Sequence, residues 1–74
     1  MKNLIVTSLL SIWLGTVDQV HKKVALVEIT SSKGDSFQVE LSTFIFPCEI
    51  SEGDVFYFEY IDGVTEIRCG NPPQ

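Results

Sequence analysis

Apolar and polar residues alternate with a period of two through much of this 74-residue chain. That period belongs to strands, whose successive side chains point to opposite faces of a sheet. In SFQVEL, residues 36–41, the alternation runs without error: Phe37, Val39 and Leu41 fall on one face, and Ser36, Gln38 and Glu40 on the other. The preceding run KVALVEIT is rich in β-branched residues, and SSKGD between the two carries the Gly and Asp that turns use. Antiparallel pairing across that loop sets Ile29 opposite Phe37, Val27 opposite Val39 and Ala25 opposite Leu41. All three pairs are apolar, so the register is self-consistent.

A second hairpin is written in FYFEYIDGVTEIRC, where Asp62-Gly63 signals a two-residue turn with positive φ at both central positions. Its register places Phe58 opposite Ile67, Tyr60 opposite Thr65 and Phe56 opposite Cys69, an apolar face. On the other face Tyr57 meets Arg68 and Glu59 meets Glu66. Two carboxylates directly opposite each other repel, so Arg68, diagonal to Glu59 and two residues from Glu66, is expected to serve as their counter-ion.

Between the hairpins, Pro47 cannot donate to a ladder and is excluded from a central strand, while Glu52-Gly53-Asp54 forms a turn that launches the next strand. The pattern therefore predicts five strands, at roughly 12–20, 23–30, 36–41, 54–61 and 64–69, ending in the polar stop GNPPQ. Short, evenly spaced strands suggest closure, which removes exposed edges. The expected fold is mainly β: a small five-stranded antiparallel barrel, SH3-like or OB-like, with an N-terminal apolar helix or strand. Residues 1–74 make one domain, with 1–11 as the apolar segment and 70–74 as the tail.

The apolar run from Leu4 to Leu14 fits two periods. Ile5, Leu9 and Ile12 would share a helical face, whereas Leu4, Val6, Ile12 and Leu14 could lie along a strand. Lys2 and the run satisfy two requirements of a secretory signal, but cutting after Gly15 would leave Trp13 at a position that needs a small residue. A spanning helix needs about twenty predominantly apolar residues, and this run is shorter and interrupted by Thr7, Ser8 and Ser11. The segment is read as an element of the fold. Leu4, Ile5, Leu9, Ile12 and Trp13 are its candidate apolar contacts, covering either the domain's own core or a neighbour.

GTVDQV, KKVALVE, FQVELSTFIFP and ISEGDVFYFE together resemble a small family of uncharacterised bacterial β-barrel domains. Its members carry a Val-Asp-Arg-like first strand, an Ala-Val second strand, a Leu-Pro turn and then Glu-Gly-Asp-Val. The likeness covers residues 15–61, with Gln19 where the family has arginine. It implies the barrel and no particular activity.

Composition agrees with a folded chain: 45% of residues are hydrophobic, and five Phe, two Tyr and one Trp supply core volume. A chain this short buries only about 60% of the surface its unfolded form exposes. For Cys48 and Cys69, the leading expectation is a pair of small buried hydrophobes in a reducing compartment, with a single disulfide as the alternative. Zinc ranks last, because His21 is the sole histidine and there is no second close-spaced ligand pair.

The same histidine decides the catalytic question. It sits in the polar turn QVHKKV, and no nucleophile, base and orienter converge on it. With no phosphate-cradling glycine loop and no metal motif, the chain is expected to be non-catalytic and without cofactor. Charge is unevenly spread. Residues 1–33 hold Lys2, Lys22, Lys23 and Lys33 against Asp18 and Glu28, a balance of plus two. Residues 34–74 hold Asp35, Glu40, Glu49, Glu52, Asp54, Glu59, Asp62 and Glu66 against Arg68, minus seven, and the total is −5. Such a balance disfavours nucleic acid as a partner, leaving Lys22 and Lys23 as a weak contact at most.

The function expected is that of a small acidic protein–protein interaction module, an adaptor, inhibitor or assembly subunit that docks on a basic partner. A phage or mobile-element inhibitor imitating nucleic acid is one form of it. Its acidic face would comprise Glu40, Glu49, Glu52, Asp54, Glu59, Asp62 and Glu66. The alternatives are a self-assembling subunit that uses the apolar N-terminal segment, and an exported or membrane-attached barrel. The compartment expected is the cytoplasm, with export through residues 1–15 as its alternative.

Overall fold

The computed structural model describes residues 13–73. Five strands succeed one another in order: β1, Trp13–His21; β2, Val24–Thr30; β3, Ser36–Ser42; β4, Val55–Ile61; and β5, Val64–Cys69. A single 3₁₀ turn, Thr43–Ile45, comes directly after β3. Each strand lies within a residue of the bounds its alternation predicts. Leu4, Ile5, Leu9 and Ile12, and the choice between helix and strand that they pose, lie outside the described residues.

All the strands join one antiparallel sheet in the order β3-β2-β1-β4-β5. Both hairpin registers are those expected: Ile29, Val27 and Ala25 pair with Phe37, Val39 and Leu41, and Phe56, Phe58 and Tyr60 with Cys69, Ile67 and Thr65. Asp62 and Gly63 both have positive φ, 52° and 82°, as the two-residue turn demands. The SSKGD loop closes through Ser31 N–H to Asp35 O, 2.8 Å, and Gly34 N–H to Ser31 O, 2.9 Å.

Two expectations are corrected. Among the described residues the sheet is not closed: β3 and β5 are its two edges, with no ladder between them. Among the described residues β1 pairs with β2 from Leu14 to His21 and with β4 from Trp13 to Thr16. The cysteines are neither buried nor free, since both are exposed and a disulfide joins Cys48 to Cys69, with Cα atoms 6.6 Å apart. That spacing lies within the span a disulfide bridges. The bond ties the connection before β4 to the end of β5.

One irregularity shapes the sheet. Val17 pairs with Val27 but Gln19 pairs with Leu26, which leaves Asp18 as the extra residue of a β-bulge. The bulge changes parity along β1. Gly15 and Val17 face the core before it and Val20 after it, so a strand whose apolar residues break step with a period of two still keeps them inside.

The core gathers Val17, Ala25, Val27, Ile29, Phe46 and Phe56, with Val20, Val39, Leu41, Ile50, Phe58 and Ile67 packed around it. Phe46 comes from outside the sheet and meets Phe56 edge to face, ring centroids 5.1 Å apart. Phe56 also lies over Gly15, its cross-strand partner, where a Cβ would run into the ring. At that end of the sheet Trp13 and Phe37 are 5.9 Å apart, although β2 separates their strands. Their contact shows how far the sheet curls over its inner face.

Candidate functional site

The seven acidic residues singled out by sequence do not form one patch. Glu59 and Glu66 are cross-strand partners on β4 and β5, and Arg68 serves both. Its Nε donates to Glu59 Oε1 at 3.0 Å, and its Nη2 reaches Glu66 Oε1 at 2.9 Å. The counter-ion role expected for Arg68 is what the structure has. These two acids are thereby largely spoken for. The pairs remain partly exposed, so Arg68→Ala should cost only about 0.5–1 kcal/mol, seen as a small drop in urea midpoint that shrinks in high salt.

Asp62 stands alone at the β4–β5 tip. Glu49, Glu52 and Asp54 lie on the connection between the 3₁₀ turn and β4, and there Asp54 has structural duties. Its Oδ2 accepts from Ser51 N–H at 2.8 Å, and its carbonyl accepts from Val17 N–H at 2.8 Å. Gly53, at φ 90°, donates to Val17 O at 2.8 Å, so this turn is docked against β1 beside the bulge.

Glu40 has company that the charge count along the chain hides. On β2 the residues alternating with buried Ala25, Val27 and Ile29 are Leu26 and Glu28, and Glu28 pairs with Gln38 on β3. Glu40 is two residues beyond Gln38 on the same outer face. Asp18 joins them from β1, because its bulged position lets Oδ2 accept from Gln38 Nε2 at 3.0 Å. The outer face of β1-β2-β3 therefore presents Asp18, Glu28 and Glu40 around Gln38, and no lysine or arginine lies on its strands among the described residues.

Glu28 is legible from the VALVEIT alternation combined with the β2–β3 register. Asp18 is not, since its side depends on the bulge. Both belong by position to the basic half of the chain, yet folding brings them to Glu40.

Trp13, the one described member of the apolar candidates, begins β1 and pairs with Phe58. Among the described residues no helix is long and apolar enough to cross a membrane, and no three metal-capable side chains cluster. His21 ends β1 and is exposed. No family model, curated protein or solved structure matches the chain.

Proposed function

We propose that this domain is a non-catalytic interaction module whose acidic outer face docks on a basic protein surface. The observation that carries the reading is the convergence of Asp18, Glu28 and Glu40 on a three-stranded face without a cation. Such a face steers a positively charged partner and rejects polyanions. The strand order, with β1 between β2 and β4, supports an OB-type barrel left open between β3 and β5, in keeping with the resemblance to the small bacterial β-barrel family. In OB-folds the β2–β3 face is the one that holds oligonucleotides, and here that face carries carboxylates. A partner that itself binds nucleic acid would meet an imitation of its ligand.

The test is capture of partners from the native host with the wild-type domain and with Glu28→Lys/Glu40→Lys, at rising salt. Asp54 is left intact because its carboxylate holds the turn. Wild-type capture should weaken steeply with salt, and the variant should lose at least about tenfold, the effect of two reversed interfacial charges. Equal capture by both proteins would overturn the reading.

A second reading concerns compartment. The exposed Cys48–Cys69 bond supports export, since disulfides persist in oxidising surroundings and cytosolic thiols are kept reduced. Alkylation of thiols in intact cells expressing the full chain should leave both cysteines unlabelled until reductant is added. Immediate labelling of both would place the working protein in a reducing compartment.

A further inference from the structure

The end of the sheet where β1 turns into β2 carries a surface of opposite character. Phe44, on the 3₁₀ turn after β3, is 75% exposed, the highest value among the described large apolar side chains, and Ile45 and Val24 nearby are also exposed. Phe44 is not on a loose loop. Its N–H donates to Ser42 Oγ at 3.2 Å, Thr43 N–H donates to Lys23 O at 2.9 Å, and Phe46 N–H donates to Thr43 O at 3.3 Å. Phe46 then anchors the segment in the core, and two residues later Cys48 is tied to β5 by the disulfide. An aromatic ring is thus held out in water by a backbone with little freedom to withdraw it.

Beside it stand Lys22 and Lys23. Lys23 Nζ lies 5.5 Å from the centre of the Phe44 ring, and neither lysine is ion-paired among the described residues. Lys22 sits at φ 60°, a left-handed conformation that Asn or Gly adopts more readily, so a lysine there lowers stability relative to either. An open hollow of about 740 Å³ adjoins the ring, and its lining is mixed, with Lys22, Thr43, Glu49 and Ser51 beside Phe44 and Ile50.

We propose that this pole binds a short peptide segment carrying one or two carboxylates next to a large apolar side chain. The carboxylates meet Lys22 and Lys23, and the apolar group lies against the exposed Phe44 ring and Ile50 at the rim of the hollow. Charge selects this occupant over a polyanion. An oligonucleotide or an anionic bilayer has to lay many charges over a wide area, whereas the only charged residues lining the hollow, among the described residues, are Lys22 and Glu49, with Lys23 against the Phe44 ring. Two cations beside one carboxylate suit a ligand of equally small charge. The residues of this surface are different from Asp18, Glu28 and Glu40, and either function can exist without the other.

The test is a titration of the isotope-labelled full chain, monitored by amide NMR, with four probes: a capped hexapeptide alternating glutamate with leucine and phenylalanine, its lysine counterpart, a twenty-nucleotide oligothymidylate, and phosphatidylglycerol vesicles. The acidic peptide should give saturable shifts confined to residues 21–24 and 43–51. Lys22→Asn/Lys23→Gln, which relieves the left-handed lysine and so keeps the fold, should weaken binding about tenfold, and Phe44→Ser should do at least as much. Unchanged shifts elsewhere confirm that both variants are folded. The proposal fails if the acidic peptide does not saturate, if the lysine peptide, the oligonucleotide or the vesicles bind better, if the double variant binds as well as wild type, or if the pole shifts with protein concentration alone, which marks self-association.

Discussion

Phe56→Ala should leave the domain largely unfolded at 25 °C. The ring is almost wholly buried and packs edge to face with both Phe46 and Phe58, so truncation removes its burial and opens a cavity that the curled sheet cannot fill. Such changes cost about 3–5 kcal/mol. Domains hold about 0.05–0.15 kcal/mol per residue, about 4–11 kcal/mol for 74 residues, and at the lower end of that range, where so short a chain with its small core belongs, the loss is most of it. Gly15 gives the same contact from the other side. Its Cβ would enter the Phe56 ring, and Gly15→Ala should cost about 1–3 kcal/mol by overpacking.

The two changes are coupled in a way that denaturant unfolding can read. In the Phe56→Ala background, monitored with stabilising osmolyte to keep a folded population, Gly15→Ala should become neutral or favourable, because alanine is better than glycine in a strand by about 0.5–1 kcal/mol. If the Gly15→Ala penalty stayed the same in both backgrounds, the ring would not be its cause.

The second large effect is expected from the disulfide. Cys48 and Cys69 are 21 residues apart, and closing a loop of that size restricts the unfolded chain by about 3 kcal/mol. Since each kcal/mol moves the Tm of a domain this small by about 4–8 °C, Cys48→Ser/Cys69→Ser should melt about 12–24 °C below the oxidised wild type. Reductant should bring wild type down to the same temperature and leave the variant unmoved. A wild type whose melting ignores reductant would show that the bond contributes nothing to stability. The connection from Phe46 to Asp54 holds Phe46 in the core and stands beside Phe44, so reduction should also loosen the basic pole before the β2–β3 hairpin.

Local structure is the legible part. The β2–β3 and β4–β5 registers come from facing apolar residues and from turns of fixed length, and both involve pairs of strands separated by a few residues of chain. Arg68 is legible for the same reason, because the β4–β5 register alone puts Glu59 against Glu66. The pairing of β1 with β4 joins Trp13 to Phe58, far apart in the chain, and no turn sets its register. Gly15 shows the consequence: by itself it resembles a small residue at the end of a leader, and only Phe56 reveals it as a place where a side chain does not fit.

The acidic residues divide along the same line. Position along the chain groups seven in the second half as one face, but Arg68 engages two, Asp54 is tied into a turn and Asp62 stands apart at a hairpin tip. Asp18 and Glu28, assigned by position to the basic half, stand with Glu40. Linear charge counting fails here because antiparallel strands bring residues together by register, and a bulge can change which face a residue takes.

By itself, then, the sequence determined the strands, the two hairpins and the net negative charge, all of which depend on neighbouring residues or on composition. The tertiary structure decided that the sheet stays open, that Cys48 finds Cys69, that Phe56 fills the place of a side chain at Gly15, and that Asp18, Glu28 and Glu40 gather on a face whose strands carry no lysine or arginine. Each of these rests on contacts between distant parts of the chain, whose geometry is set only when the bulge at Asp18 and the curl of the sheet are in place.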